Sequence, residues 1–116
     1  MDSNNKEKFQ LIVTIVTKGY TEDIIAAAKS AGAEGSTIIN GRGTGIHENA
    51  RLFGMLIEPE KEIILTLVPK EITEKVLKEV CTAGNLDKPN KGIAFVLDVD
   101  KVAGICHLCQ DKTKFK

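Results

Sequence analysis

The sequence is poor in aromatic side chains: among 116 residues it has four Phe, one Tyr and no Trp. Aromatic rings are the platforms on which unpaired bases stack, so a surface for single-stranded nucleic acid is not favoured. A basic excess is missing too, because 16 Lys and Arg residues balance 16 Asp and Glu residues. Nucleic-acid binding normally needs a basic face. We therefore expect no nucleic-acid partner.

Long apolar runs are also missing. No run approaches the roughly 20 residues needed to span a bilayer, and the polar stretch MDSNNKEKF lacks the apolar core of a secretory signal. The three cysteines, an odd number, do not suggest a disulfide scaffold. We expect a single globular domain over residues 1–116, located in the cytoplasm and not inserted in a membrane.

What is present is an alternation of short β-branched runs and amphipathic segments. The pattern predicts strands at 9–18, 35–40, 61–68 and 93–99. It predicts helices at 21–31, with Thr21 as N-cap and Gly32 as C-cap, and at 70–84, ending at Gly84. The order βαββαβ predicts an α+β, ferredoxin-like fold: an antiparallel four-stranded sheet with two helices on one face.

The predicted strands are apolar at successive positions, as in residues 63–65 and 95–97. Both faces of the sheet should therefore be apolar, although the two helices cover only one. Either the uncovered face is an interface between copies of the chain, or the C-terminal tail, residues 100–116, folds over it. We expect the former.

The connection 41–59 begins with a run of glycines around Arg42. The segment 41–45 could expose backbone N–H groups to a phosphate, with Arg42 adding positive charge, or it could be a glycine hairpin. Its spacing is not that of a P-loop. His47, further along, could contact a ligand or simply be solvated. A connection of this length is often functional.

A second polar loop, residues 85–92, carries Lys88 and Lys91. It could bind the phosphates of an anionic ligand, or it could be a charged surface turn. Further on, Cys106 and Cys109 form a CxxC motif around His107, which could be redox-active, half of a metal site, or neither.

Catalytic residues are not apparent, because no nucleophile–base pair or paired carboxylates stand out. The acylphosphatases share the βαββαβ order, but they need an arginine in the loop after the first strand, and residues 17–20 contain none. We expect that the protein is not an enzyme.

Residues 9–45 and 83–105 resemble the two signatures of the PII nitrogen-regulatory signalling proteins. The first is a strand, a helix, a G-x-T step and a strand ending in G-x-G; the second is a Gly- and Lys-containing loop followed by the strand IAFVLDV. The resemblance implies a homotrimer that binds ATP or ADP in clefts between subunits. It also implies a protruding T-loop, here 41–59, that docks onto a target enzyme, regulator or ammonium transporter.

The resemblance also assigns site residues. Ile15, Gly35 and Thr37 match the first half of the nucleotide cleft, Gly43 and Gly45 match the base of the T-loop, and Gly84, Lys91 and Gly92 match the second phosphate-binding loop. Arg42, His47 and Lys88 complete the candidate set, because they can supply charge or polar contacts where the chain departs from the family.

The departures are specific. Ile46 and His47 replace the family's Arg-Gln pair, Leu65 replaces a glutamate, and Gly104 and Cys106 replace two arginines; residues 46–59 contain no tyrosine. AMP or another anionic nucleotide therefore stays possible beside ATP and ADP. We expect a PII-like regulatory protein; the alternative is a small metal- or redox-responsive module centred on Cys106 and Cys109.

Overall fold

The computed structural model describes residues 8–44, 50–52 and 54–104. Its elements are β1 (Phe9–Thr17), α1 (Thr21–Ser30), β2 (Thr37–Arg42), β3 (Ala50–Leu52), β4 (Met55–Ile57), β5 (Glu60–Pro69), a 3-10 turn (Lys70–Ile72), α2 (Thr73–Gly84) and β6 (Gly92–Val99). The predicted βαββαβ order is confirmed for the four long strands and both helices. Within the described ranges, neither helix has the length and apolar character that crossing a membrane requires.

The four long strands form one antiparallel sheet in the order β2-β5-β1-β6. In its middle, Val13 of β1 lies opposite Leu65 of β5 and Phe95 of β6. Within the part of the chain that the structure describes, the two short strands β3 and β4 pair with each other and with no other strand. The predicted α+β ferredoxin-like sheet is therefore confirmed, with a small hairpin added inside the connection that follows β2.

One face of the sheet packs against α1 and α2 and makes the core. Every second residue of β1 and β5 points to this side, and the helices contribute their apolar stripes. Burying one such aliphatic side chain contributes about 1.5–3 kcal/mol. The fully buried members are Ile12, Val16, Ile24, Ala28, Ile64, Val68, Val76 and Val80.

The opposite face of the sheet is apolar and largely open; we call it the open face. Four of its side chains are strongly exposed: Ile39 at 45%, Ile93 at 56%, Phe95 at 40% and Leu97 at 49%. At the end of the sheet where β6 finishes, the last residue of β6 and the segment 101–103 border a groove together with residues of β1, β2 and β5. Which of the two interpretations of the second apolar face applies stays a prediction.

Several element ends differ from the prediction, each for a local reason. β2 runs to Arg42 and not to 40, because Gly41 and Arg42 continue the ladder with β5. Tyr20, not Thr21, is the N-cap of α1, and the Thr21 hydroxyl instead donates a hydrogen bond to the carboxylate of Glu62. After Pro69 the chain makes one 3-10 turn before α2 begins.

The helix α2 ends at Gly84, as predicted, but the residue that terminates it is different. Asn85, not Gly84, adopts the left-handed conformation, with φ 53° and ψ 42°. The Asn85 N–H donates to the Thr82 carbonyl at 3.2 Å and the Leu86 N–H to the Cys81 carbonyl at 3.0 Å. This pair of bonds is a Schellman motif, in which asparagine replaces the usual glycine.

Candidate functional site

The predicted site residues that the structure describes fall into two groups, one toward each edge of the sheet, although Ile15 lies on the inner strand β1 and Gly84 at the end of α2. Ile15, Gly84, Lys88, Lys91 and Gly92 lie on the β6 side, whereas Gly35, Thr37, Arg42 and Gly43 lie on the β2 side. Three strand spacings of about 4.8 Å put the two edges about 14 Å apart. Gly45, His47 and the cysteines at 106 and 109 fall outside the described residues.

On the β6 side, Gly92 brings the start of β6 very close to β1. A Cβ on Gly92 would lie 2.5 Å from the carbonyl oxygen of Ile15 and 2.8 Å from Cγ1 of Val16. Its φ of +145° is also unfavourable for a residue with a side chain. Glycine is therefore required by the backbone packing at this position, and Ile15 is held directly beside it.

Lys91, immediately before Gly92, lies against Tyr20. Its ammonium donates to the Tyr20 hydroxyl at 3.2 Å, and its Nζ lies 5.2 Å from the centre of the phenol ring. The contact joins the loop before β6 to the turn between β1 and α1. No carboxylate among the described residues pairs with this ammonium, so the contact holds a positive charge at the β6 edge.

Gly84 and Lys88 occupy different surroundings in the same loop region. A Cβ on Gly84 would lie 3.1 Å from side-chain atoms of both Ile24 and Leu86, so tight packing accounts for a glycine here. Lys88 is exposed, and its N–H donates to the Asn85 carbonyl at 3.0 Å. The role of either residue in ligand binding stays a prediction.

On the β2 side, Arg42 and Gly43 mark the base of the connection to β5. Arg42 is exposed and lies opposite Glu60 in the strand register. The Gly43 N–H donates to the Pro59 carbonyl at 3.2 Å, which closes this base beyond the end of the ladder. Gly43 therefore lies where the chain leaves the sheet.

The start of β2 borders an open groove of about 440 Å³, which lies at the end of the open face where β6 finishes. Thr37 supplies a hydroxyl-bearing side chain to a lining that is otherwise mostly aliphatic. Gly35, just before β2, has no heavy atom within 4 Å of where its Cβ would be. The other lining residues are Leu11, Leu65, Leu67, Val99, Lys101, Val102 and Ala103.

Two contacts near the turn between β1 and α1 were not predicted from sequence. Tyr20 holds Lys91, and the Thr21 hydroxyl binds the Glu62 carboxylate. Only the sheet register could have indicated them, since β5 and β6 both pair with β1 and bring residues 62 and 92 opposite Val16. No group of three His, Cys, Asp or Glu side chains suited to a metal ion occurs in the described part of the chain.

The architecture is that of a ferredoxin-like α+β subunit whose candidate ligand residues are divided between two sheet edges. The family model of nitrogen regulatory protein P-II matches residues 9–107, which is most of the chain. The chain therefore belongs to the nitrogen regulatory protein P-II family. The predicted resemblance is confirmed, and with it the coarse prediction of a PII-like regulatory protein.

Solved structures share the fold. Arabidopsis thaliana PII bound to citrate matches with a TM-score of 0.68 and 23% identity, over 86% of this chain and 85% of that one. The Bacillus cereus protein related to NIF3 matches with a TM-score of 0.62 and 24% identity, over 82% of this chain but only 26% of that one. Among curated proteins, none matches the chain. At these identities, the structural matches support the fold alone.

Proposed function

We propose that the protein is a cytoplasmic, homotrimeric PII-like regulator that binds an adenine nucleotide, ATP or ADP, in clefts between its subunits. It conveys the bound state to a protein target, an enzyme, a regulator or a membrane transporter, through the connection 41–59. The division of the candidate residues between two sheet edges carries this proposal. The two edge strands are about 14 Å apart in one chain, and placing the β2 edge of one copy beside the β6 edge of another would bring the two sets together around one ligand.

The open face supports assembly of copies. Ile39, Ile93, Phe95 and Leu97 are 40–56% exposed on one side of one sheet, and burying them against another copy removes apolar surface from water. In a closed ring each subunit presents one edge to one neighbour and the other edge to the next. The β2 edge of one subunit then faces the β6 edge of its neighbour.

The two edges offer complementary chemistry to a nucleotide. The groove beside Thr37 is mostly aliphatic and open, which suits a flat base. The β6 edge offers the ammonium of Lys91 and the exposed Lys88, which suit phosphate oxygens. Leu65, which replaces a glutamate of the family, lies in the groove lining and offers the base no polar contact. AMP or another anionic nucleotide is therefore the second candidate ligand for the same cleft.

Calorimetric titration of the purified full chain with ATP, ADP and AMP tests the proposal. Saturable heat with one ligand per subunit is expected for at least one nucleotide, together with a rise in melting temperature. At a hundred times Kd, the ligand adds about 2.7 kcal/mol to the free energy of unfolding. Citrate serves as an anion without a base, because it is the ligand named for the Arabidopsis structure. No heat with any nucleotide would refute the nucleotide site.

A further inference from the structure

The contact between Tyr20 and Lys91 joins two segments whose own positions are fixed. The Tyr20 carbonyl accepts the first helical hydrogen bond of α1, from Ile24 N–H at 3.2 Å, and its side chain packs against the edge of the core. Lys91 is followed by Gly92, whose backbone touches β1 at Ile15. The backbones on both sides of the contact are thus tied to α1 and to β6.

Lys18 and Lys91, two lysines at the end of the sheet where β6 begins, differ in the groups that they contact. Lys18 donates to the Glu60 carboxylate at 3.3 Å, so that ion pair neutralises its charge locally. Lys91 instead contacts a neutral phenol, through its hydroxyl and its ring face. A cation over an aromatic ring is stabilised by the ring quadrupole but keeps its net charge. Of these two lysines, Lys91 is the one prepared to attract an anion.

The geometry of Lys91 also leaves donors available. An ammonium has three N–H donors, and the Tyr20 hydroxyl accepts one of them at 3.2 Å. Two donors stay for an incoming oxyanion while the contact with Tyr20 persists. Since the long flexible lysine side chain is already held, less rotamer entropy is lost when the anion binds.

We propose that Tyr20 is a positioning residue for phosphate binding, which holds the Lys91 ammonium ready for a phosphate oxygen of the ligand. This inference rests on the proposed nucleotide site. It adds to that site a residue that touches Lys91 and not the ligand, and it predicts that ring and hydroxyl contribute separately to affinity.

Calorimetry with ATP on four single variants of the full chain tests the inference. Tyr20→Leu should weaken binding about fivefold, the scale of one cation–π contact, and Tyr20→Phe, which keeps the ring, should lie between Tyr20→Leu and the parent. Lys91→Met should weaken binding at least as much as Tyr20→Leu. Lys18→Met, with the same loss of charge on the same end of the sheet, should change Kd by less than twofold.

The outcomes separate the two proposals. If the parent chain binds no nucleotide, the proposed function fails and the inference fails with it. If the parent binds and Lys91→Met weakens binding while Tyr20→Leu does not, only the positioning role of Tyr20 is refuted. A purely structural Tyr20 would lower the melting temperature of Tyr20→Leu and leave its Kd at the parent value. The near-isosteric Tyr20→Phe variant keeps the test valid if Tyr20→Leu folds poorly.

Tyrosine fluorescence gives a second, direct measurement. Tyr20 is the only tyrosine and the chain has no tryptophan, so tyrosine fluorescence reports on the Tyr20 ring alone. Titration with pyrophosphate, which does not absorb in this range, should change the emission in a saturable way in the parent chain. The change should disappear in Lys91→Met and persist in Lys18→Met. An emission change that is unaffected by Lys91→Met would overturn the inference.

Discussion

At the scale of single residues, the β6 edge depends on a glycine without space for a side chain. A methyl group at position 92 would meet backbone at 2.5 Å, and the positive φ adds strain. The β2 edge is different, because a methyl group on Gly35 would meet nothing within 4 Å. The surroundings of the two glycines therefore differ: close backbone packing excludes a side chain at Gly92, whereas Gly35 has space for one.

We expect Gly92→Ala to lower the free energy of unfolding by about 3 kcal/mol, the sum of overpacking and backbone strain. Gly35→Ala, the matched control, should leave stability unchanged or slightly higher, since alanine restricts the unfolded chain. Urea unfolding followed by circular dichroism measures both. Equal losses in the two variants would contradict the role of the Ile15 contact.

Cys81 offers a second test at this scale. Burial, with a smaller contribution from the negative charge of Asp87, raises the pKa of the Cys81 thiol above its usual range. Asp87→Asn should therefore lower that pKa and speed the reaction of Cys81 with a thiol reagent at fixed pH, because the thiolate is the nucleophile. The measurement uses a Cys106→Ser, Cys109→Ser background. A slower reaction in Asp87→Asn would contradict the electrostatic contribution.

The sign of the pH dependence follows from the same shift. Because the folded-state pKa of Cys81 is the higher one, its contribution to stability is present below the pKa of an unfolded thiol. It is lost as pH rises through the folded value. Stability of the parent chain should thus fall in the alkaline range more steeply than that of Cys81→Ala.

At the scale of elements, the end of α2 shows that asparagine can occupy the left-handed position that terminates a helix. Asn85 holds φ 53° within a Schellman motif, and Asn90 in the same loop holds φ 64°. Asparagine tolerates this conformation better than other residues with a Cβ. These two positions shape the loop that carries Lys88 and Lys91 to the β6 edge.

Asn85→Ala should cost about 1 kcal/mol of stability, the usual penalty of a non-glycine residue in the left-handed region, whereas Asn85→Gly should be neutral. Thermal unfolding of the three proteins checks this order. A loss in Asn85→Gly as large as that in Asn85→Ala would mean that the asparagine side chain, not its backbone conformation, is what matters.

Elements were predictable where their signal is local. The β-branched runs and amphipathic stripes gave four strands and two helices in the right order, because side-chain periodicity depends on nearest neighbours in sequence. The hairpin of β3 and β4 was not predicted, since its strands are only three residues long. Thr21 was predicted as an N-cap, but its hydroxyl has a better partner in Glu62, which is 41 residues away.

At the scale of the whole molecule, the open face is the surface through which we propose that copies assemble. We expect a mass three times that of one chain by sedimentation. Phe95→Glu places a charge in the middle of this face, opposite Val13, and should dissociate the assembly and abolish nucleotide binding. Ile38→Glu is the matched control, because Ile38 is 46% exposed but lies on the helix side of β2. Dissociation by Ile38→Glu and not by Phe95→Glu would contradict the assignment of the interface to the open face.

The sequence by itself determined the order of the elements, the apolar character of both sheet faces and the family, because these depend on local periodicity and on residue types in order. The tertiary structure decided where the candidate residues lie. Cross-strand register placed them on two opposite edges, gave Gly92 its contact with Ile15 and set Lys91 against Tyr20. These contacts join residues far apart in the chain, and no local pattern records which distant backbone will come within reach.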